Sequence, residues 1–372
     1  MRELYDLPRE VAYFNCAYVS PMLRAVHAAI ESALAREARP WEISADDFYD
    51  PPDRLRAEFA RLIGARPADV AIVPSASYGL ATAAANLPLE RGQHVLLLQD
   101  TYPSNVYSWR RLAARAGGEV RTVPRPADGD WTAAVLDAID DRTGIAGLPH
   151  NHWMDGALLD LERIGAALRE RGAALALDAS QSLGALPLDV ARVQPDFLAT
   201  CGYKWLHCPY TISFLYVAPH RQGGVPIEEN PMNRKGSRHF ARMADYTDEY
   251  EPGAVRFDVG ERANFTLLPG ALAALEQLNR WTPEWIAAEI GAKTQRIAEE
   301  ARGLGLEVLP DRLRAPHFLG LIFPDGVPDG AADRLKAQNV HVSVRGRSIR
   351  VTPHVYNDAE DMERLLAALR AL

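Results

Sequence analysis

Apolar residues recur at Leu23, Val26, Ile30 and Leu34 in SPMLRAVHAAIESALAREA, a spacing of three and four that lines one face of an α-helix. Ser20 stands where an N-cap belongs and Pro21 at the first helical position, so the pattern predicts a helix opening there. A second helix is expected over about 53–63, with Leu55, Phe59 and Leu62 on its apolar side and Gly64 as its stop. From Asp69 the rhythm changes. Short unbroken apolar runs at 70–73, 95–98, 120–123, 145–148, 174–177, 197–200 and 211–217 alternate with helical patterns at about 80–87, 104–116, 132–139 and 161–171. Strands without polar alternation are buried on both faces, which implies a mostly parallel, doubly wound sheet covered by helices.

Past Pro219 the chain turns polar through GGVPIEENPMNRKGSRHFARMADYTDEYEPG, long for a structureless connector and therefore a candidate active-site or interface loop. Helical periodicity returns at about 269–280 and 283–302, then short strands near 317–323, 340–344 and 349–352, and a closing helix over 358–372. The expected organisation is an N-terminal segment (1–68), a large α/β domain (69–268), and a small α+β domain (269–372) packed with the N-terminal segment.

A chain of 372 residues, 48% of them hydrophobic, is long enough for two domains or one domain with an appendage. Its 41 basic and 49 acidic residues give a net charge of −8, without a basic run or an aromatic-plus-arginine stripe, which argues against nucleic acid as a partner. Cys16, Cys201 and Cys208 are too few and too unevenly placed for a disulfide framework or a metal knuckle, so a reduced, cytoplasmic protein is expected. The N-terminal MRELYDLPREVAYFNC lacks an apolar signal core, and no stretch reaches the roughly 18 apolar residues of a membrane span.

In open α/β sheets ligands gather at the carboxyl ends of strands, so the residues that follow each apolar run carry the candidate chemistry. PSASYGL offers a helix start for a phosphate, although alone it reads as an ordinary capped turn. His150 and His152 in PHNHWMDG have no third ligand nearby in sequence, which favours hydrogen bonding over a metal. Asp178 closes the strand ALALD, either as a cap or as a buried anion facing a cationic ligand group. Lys204 stands in CGYKWLHCPYTISF, a stretch that otherwise reads as buried sheet, and desolvating an ammonium is costly. Asp178 and Lys204 would form a structural ion pair or hold two ends of one cofactor. GxGxxG, GxxxxGK[ST] and GxSxG are all absent.

DASQSLGALPLDV followed by DFLATCGYKWL resembles the aspartate, glutamine and Schiff-base lysine of the pyridoxal-phosphate enzymes of aspartate-aminotransferase fold. The chain is similar along nearly its whole length to their class V aminotransferase group, which includes cysteine desulfurases, kynureninases and isopenicillin-N-epimerase-like proteins. The resemblance implies pyridoxal 5'-phosphate carried on Lys204, with Asp178 at the pyridine nitrogen, Gln181 at the phenolic oxygen and Tyr102 stacked on the ring. It implies a phosphate site at Ala76, Ser77 and Tyr203. It further implies a homodimer, in which Asn264 of VGERANF completes the neighbouring site, and an α-carboxylate clamp at Arg350, with Arg345 the weaker candidate.

Two departures bear on the reaction. Desulfurases carry a persulfide cysteine shortly before that arginine, whereas 335–349 contains none, which argues against desulfurase activity of the usual kind. The glycine-rich turn that follows the lysine in many relatives is here His207-Cys208-Pro209-Tyr210. The expected activity is chemistry at the α-carbon of an amino acid, transamination first, with β-elimination of a carbon–sulfur bond or epimerisation as alternatives. A non-catalytic cofactor-binding homologue is the rival from another class.

Overall fold

A computed structural model describes residues 1–372. In chain order its elements are β1 (Ala12–Tyr13), α1 (Arg24–Glu37), α2 (Asp50–Leu62), β2 (Val70–Val73), α3 (Ala76–Asn86), β3 (His94–Leu98), α4 (Ser104–Ala116), β4 (Glu119–Val123), α5 (Trp131–Ala138), β5 (Thr143–Pro149) and α6 (Leu161–Glu170). There follow β6 (Ala174–Asp178), α7 (Val190–Val193), β7 (Phe197–Cys201), β8 (Ser213–Val217), α8 (Leu268–Trp281), α9 (Pro283–Gly303), β9 (Leu319–Ile322), α10 (Ala331–Ala337), β10 (Val340–His341), β11 (Ser343–Arg345), β12 (Ser348–Val351) and α11 (Ala359–Arg370). No helix is long and apolar enough to cross a membrane.

The apolar runs form one sheet in the order β2-β8-β7-β6-β5-β3-β4, parallel throughout except for β8, which is antiparallel to both its neighbours. Successive side chains point to opposite faces, and both faces are apolar. Val70, Ile72, Leu96, Leu175, Leu177 and Phe214 join the larger core with α2, α5, α6 and α8. Ala71, Val73, Leu97, Ala174, Ala176 and Leu215 join a second core with Leu80 of α3 and Trp109 of α4. At the β4 edge Glu119 and Arg121 point outward, charges that discourage pairing with another chain. The β2 edge is covered by the chain's own long loop, since Val259 N donates to Ile72 O at 3.0 Å and Ile72 N to Asp258 Oδ1 at 2.7 Å. Asp258 is fully buried and paired with Arg56. A third core gathers Phe14, the end of α9, β9, β12 and α11.

Several boundaries differ from the sequence expectation, each for a tertiary reason. Helix α1 begins at Arg24 rather than near Ser20, because Ser20 N and Oγ both bond to Tyr203 O, at 3.1 and 3.3 Å. The strand expected at 211–217 starts at Ser213, since Thr211 is held at φ +74° in the preceding turn. The run at 340–344 splits, with β10 pairing parallel to β1 and β11 antiparallel to β12. Helices α7 and α10 are too short for periodicity to mark them.

Candidate active site

The carboxyl ends of β2, β3, β5, β6 and β7 open onto one cavity. Strand β2 leads into α3, capped by Ser75, whose Oγ accepts Tyr78 N at 3.1 Å. Gly79 lets this helix lie against β7, since a Cβ there would stand 2.9 Å from the Cβ of Ala199. The helix therefore delivers Ser75, Ala76 and Ser77 to the cavity with free backbone N–H groups and the positive end of its dipole. Ser75 Oγ and Ser77 Oγ lie 2.9 Å apart.

Lys204 follows β7 and is only 7% exposed. The alternative of a structural ion pair with Asp178 is not realised. Lys204 forms no ion pair, and its Nζ lies 5.4 Å from the centroid of the Tyr102 ring and 5.6 Å from that of Tyr203. Aromatic faces stabilise an ammonium without fixing it in a salt bridge, which leaves the amine free for a ligand. Asp178, on the neighbouring strand end, accepts Ser180 N at 3.0 Å and has no cationic partner in the chain. Tyr102, half exposed, meets Trp153 edge to face at 5.5 Å.

Gln181 lines the cavity, but its amide is already engaged: Nε2 donates to Ala17 O at 3.2 Å and Oε1 accepts Trp205 Nε1–H at 3.3 Å. Its backbone O accepts His317 Nε2–H at 2.6 Å. One N–H and one lone pair of the side chain remain for a ligand. Burial pushes the Tyr203 hydroxyl well above its ordinary range, so it remains a neutral donor. Tyr203 stands 4.5 Å from the Tyr210 ring at the cavity mouth.

Arg350 does not line the cavity. It lies one residue behind, only 2% exposed, with Nη1 donating to Trp153 O at 3.1 Å and a buried Nε that has no partner. Desolvation, followed by the neighbouring charge of Arg345, lowers its pKa to about 9. Asn264 is not brought to this cavity either. It lies in a separate surface cleft with Phe265 and Glu37, its Oδ1 accepting Leu267 N at 2.8 Å. His152, the second histidine of the HxH pair, is stacked on Trp131 at 5.5 Å and bonds Gln99 O at 3.2 Å.

Among the cavity residues that the sequence did not single out, Asn151 is the most telling. Asn151 is fully buried, lines the cavity, and has no partner for either its amide nitrogen or its amide oxygen. Buried polar groups are hydrogen-bonded in the great majority of cases, so an orphaned amide beside an unpaired lysine and an unpaired aspartate marks a place for a polar ligand. The only sequence signal was position, three residues past an apolar run at the same sheet end as Asp178 and Lys204.

The model of the family described as Aminotransferase class-V matches residues 39–365. The chain belongs to the class V aminotransferase family. This class V protein is 27% identical over 368 residues to an uncharacterized aminotransferase of Bacillus subtilis, covering 95% of this chain and 91% of that protein. It is 30% identical over 354 residues to the isopenicillin N epimerase of Streptomyces clavuligerus, covering 86% of this chain and 84% of the other. Its fold superposes with a TM-score of 0.88 on a mutant of the C-DES protein that carries glycine covalently linked to its PLP cofactor, at 23% identity and covering 100% of this chain and 99% of that one.

The cofactor of the class V protein is pyridoxal 5'-phosphate, and it is an enzyme of the fold expected from its sequence. Its residues fit that group. A lysine without an ion pair, a carboxylate without a cationic partner on the adjacent strand, an aromatic ring over the lysine and an open helix N-terminus face one cavity.

Proposed function

We propose that this chain transfers the amino group of an amino acid, with Lys204 as the residue that carries the cofactor and moves the α-proton. The observation that carries the reading is Lys204 itself, buried, unpaired and framed by Tyr102 and Tyr203 at 5.4 and 5.6 Å. Bound pyridoxal phosphate supplies an electron sink for the charge that develops at the substrate α-carbon. Asp178 would hold a proton on the pyridine nitrogen, which would keep that sink effective. The backbone N–H groups of Ala76 and Ser77 and the hydroxyl of Tyr203 would hold the phosphate. Tyr102 would stack on the ring, and Gln181 would donate its remaining N–H to the phenolic oxygen. Arg350 draws the α-carboxylate to the Trp153 side of the cavity, and the free amide of Asn151 shares that role. Lys204 Nζ would take the α-proton as a base and, as an acid, deliver it to the cofactor rather than back to the α-carbon, so that hydrolysis releases a 2-oxo acid and leaves the amino group on the cofactor.

The similarity to an epimerase supports a second reading, in which the α-proton that Lys204 removes is replaced from the opposite face without net loss of the amino group. A carbon–sulfur lyase is a third outcome of the same geometry. A cysteine-borne persulfide is disfavoured, because Cys16, Cys201 and Cys208 are all buried and burial raises the pKa of each thiol. We also propose a cytoplasmic homodimer, in which a second copy covers the cleft around Asn264 and Phe265 and brings that segment to the partner's site.

Incubating the cofactor-loaded protein with single amino acids tests the reaction. Stoichiometric release of a 2-oxo acid without a second substrate supports transamination. Loss of optical activity without a 2-oxo acid supports epimerisation, and release of ammonia supports elimination. A loaded protein inert to every amino acid overturns the enzymatic assignment.

A further inference from the structure

Two arginines, not one, contact Trp153, which lines the cavity, and neither has a carboxylate partner in the chain. Strands β11 and β12 pair Ser343 with Arg350 and Arg345 with Ser348. Directly opposed residues, and residues two apart on one strand, share a face, so Arg345 and Arg350 are diagonal neighbours on the same side of the hairpin. The turn that joins the strands lies against the segment after Trp153, since a Cβ on Gly346 would meet Met154 Cε at 3.4 Å. Both guanidiniums converge on Trp153. Arg350 donates to its carbonyl at 3.1 Å, and Arg345 lies 5.6 Å from its ring centroid. Arg345 makes one hydrogen bond, Nη1 to Val344 O at 2.8 Å, and Arg350 one, with its buried Nε left without a partner.

Elsewhere this chain neutralises its buried arginines. Arg56 and Arg262 share Asp258, and Arg314 is paired with Asp311. Like charges set side by side without a counterion are unfavourable, and the strain falls when an anion arrives. A monocarboxylate satisfies one guanidinium only. From this we infer that the site is built for a substrate with two anionic groups, an amino acid whose side chain ends in a carboxylate, with the α-carboxylate on Arg350 and the distal one on Arg345. The inference rests on the reading of this cavity as the amino-acid site. It makes Arg345, which is half-buried and stacked on Trp153, the residue that selects the side chain.

The test uses amine-free probes on the cofactor-loaded protein, glutarate against butyrate, with affinities from calorimetry. One further charge-assisted bidentate contact favours glutarate by roughly tenfold or more. Arg345→Gln is expected to collapse the butyrate-to-glutarate ratio of dissociation constants toward one, and Arg345→Lys to restore it in part. A packing role for Arg345 against Trp153 would leave that ratio unmoved. Equal affinity of the wild-type protein for the two probes overturns the inference, whether or not the variants fold. Failure of a loaded protein to bind either probe overturns it together with the carboxylate clamp. A protein that binds both probes equally but still turns over amino acids leaves the amino-acid site standing and removes only the two-anion claim.

Discussion

Arg56 and Arg350 are equally buried, each 2% exposed, yet removing them is expected to have opposite effects on stability. Arg56 sits in a closed set of partners: Asp258, Asp53 at 3.0 Å and Val70 O at 3.2 Å. Arg56→Met leaves the Asp258 carboxylate fully buried with Arg262 at 3.4 Å as its one cationic partner, and breaking such a pair costs about 3–5 kcal/mol. Arg350 has one carbonyl partner and an orphaned Nε. Burial lowers its pKa from 12.5 to about 9, which corresponds to on the order of 5 kcal/mol against the charged form at neutral pH. Its bond to Trp153 O returns roughly 1.5–3 kcal/mol, and its guanidinium lies 5.6 Å from the Phe318 ring centroid. Arg350→Met should therefore be neutral or gain up to about 3 kcal/mol while losing carboxylate binding, the trade expected when a site keeps a charge for its ligand. Urea unfolding of the ligand-free variants at pH 7 measures both, with the slope checked for constancy. A loss of 3 kcal/mol or more in Arg350→Met would refute the view that this arginine waits for an anion.

Asp178→Asn should retain the cofactor on Lys204 while lowering turnover by roughly a hundredfold or more, the scale of a lost preorganised electrostatic contact, as measured by the rate of 2-oxo acid formation. His207 and His317 are buried neutral, with pKa values lowered to about 4 from the ordinary 6.5 by desolvation. The unfolded chain binds these protons first, so their contribution is complete above pH 6.5 and is lost as pH falls toward 4. Urea midpoints should drop across that window, and His207→Phe should flatten the decline. Thr211 is β-branched at φ +74°, a conformation that costs on the order of 1–2 kcal/mol outside glycine. Thr211→Gly should leave the thermal midpoint unchanged or raised, whereas Thr211→Pro, whose φ is fixed near −65°, should lower it sharply.

The sheet was legible because its strands are buried on both faces, so each appears as an apolar run whatever its neighbours are. What failed was local reasoning where the fold overrides it. Ser20 has the chemistry of a helix cap but is held by Tyr203 O, and Thr211 has the chemistry of a strand but is bent into a turn by the chain around it. Lys204 and Asp178 stood out because a charge at the end of an apolar strand is expensive without a purpose. Asn151 did not, since its interest lies in having no partner, and sequence order carries no record of missing partners. Arg350 could be placed on its strand, but that it bonds to the carbonyl of Trp153, a residue lining the cavity, follows only from the packing of the β11–β12 hairpin against that segment.

The central claim is that Lys204 carries the cofactor. Adding pyridoxal phosphate to the purified protein, reducing with borohydride and mapping the adduct by mass spectrometry tests it directly. The expected result is a single pyridoxyl group on the peptide containing Lys204, absent from Lys204→Ala. An adduct on another lysine, or none on a protein that remains folded, would contradict the account.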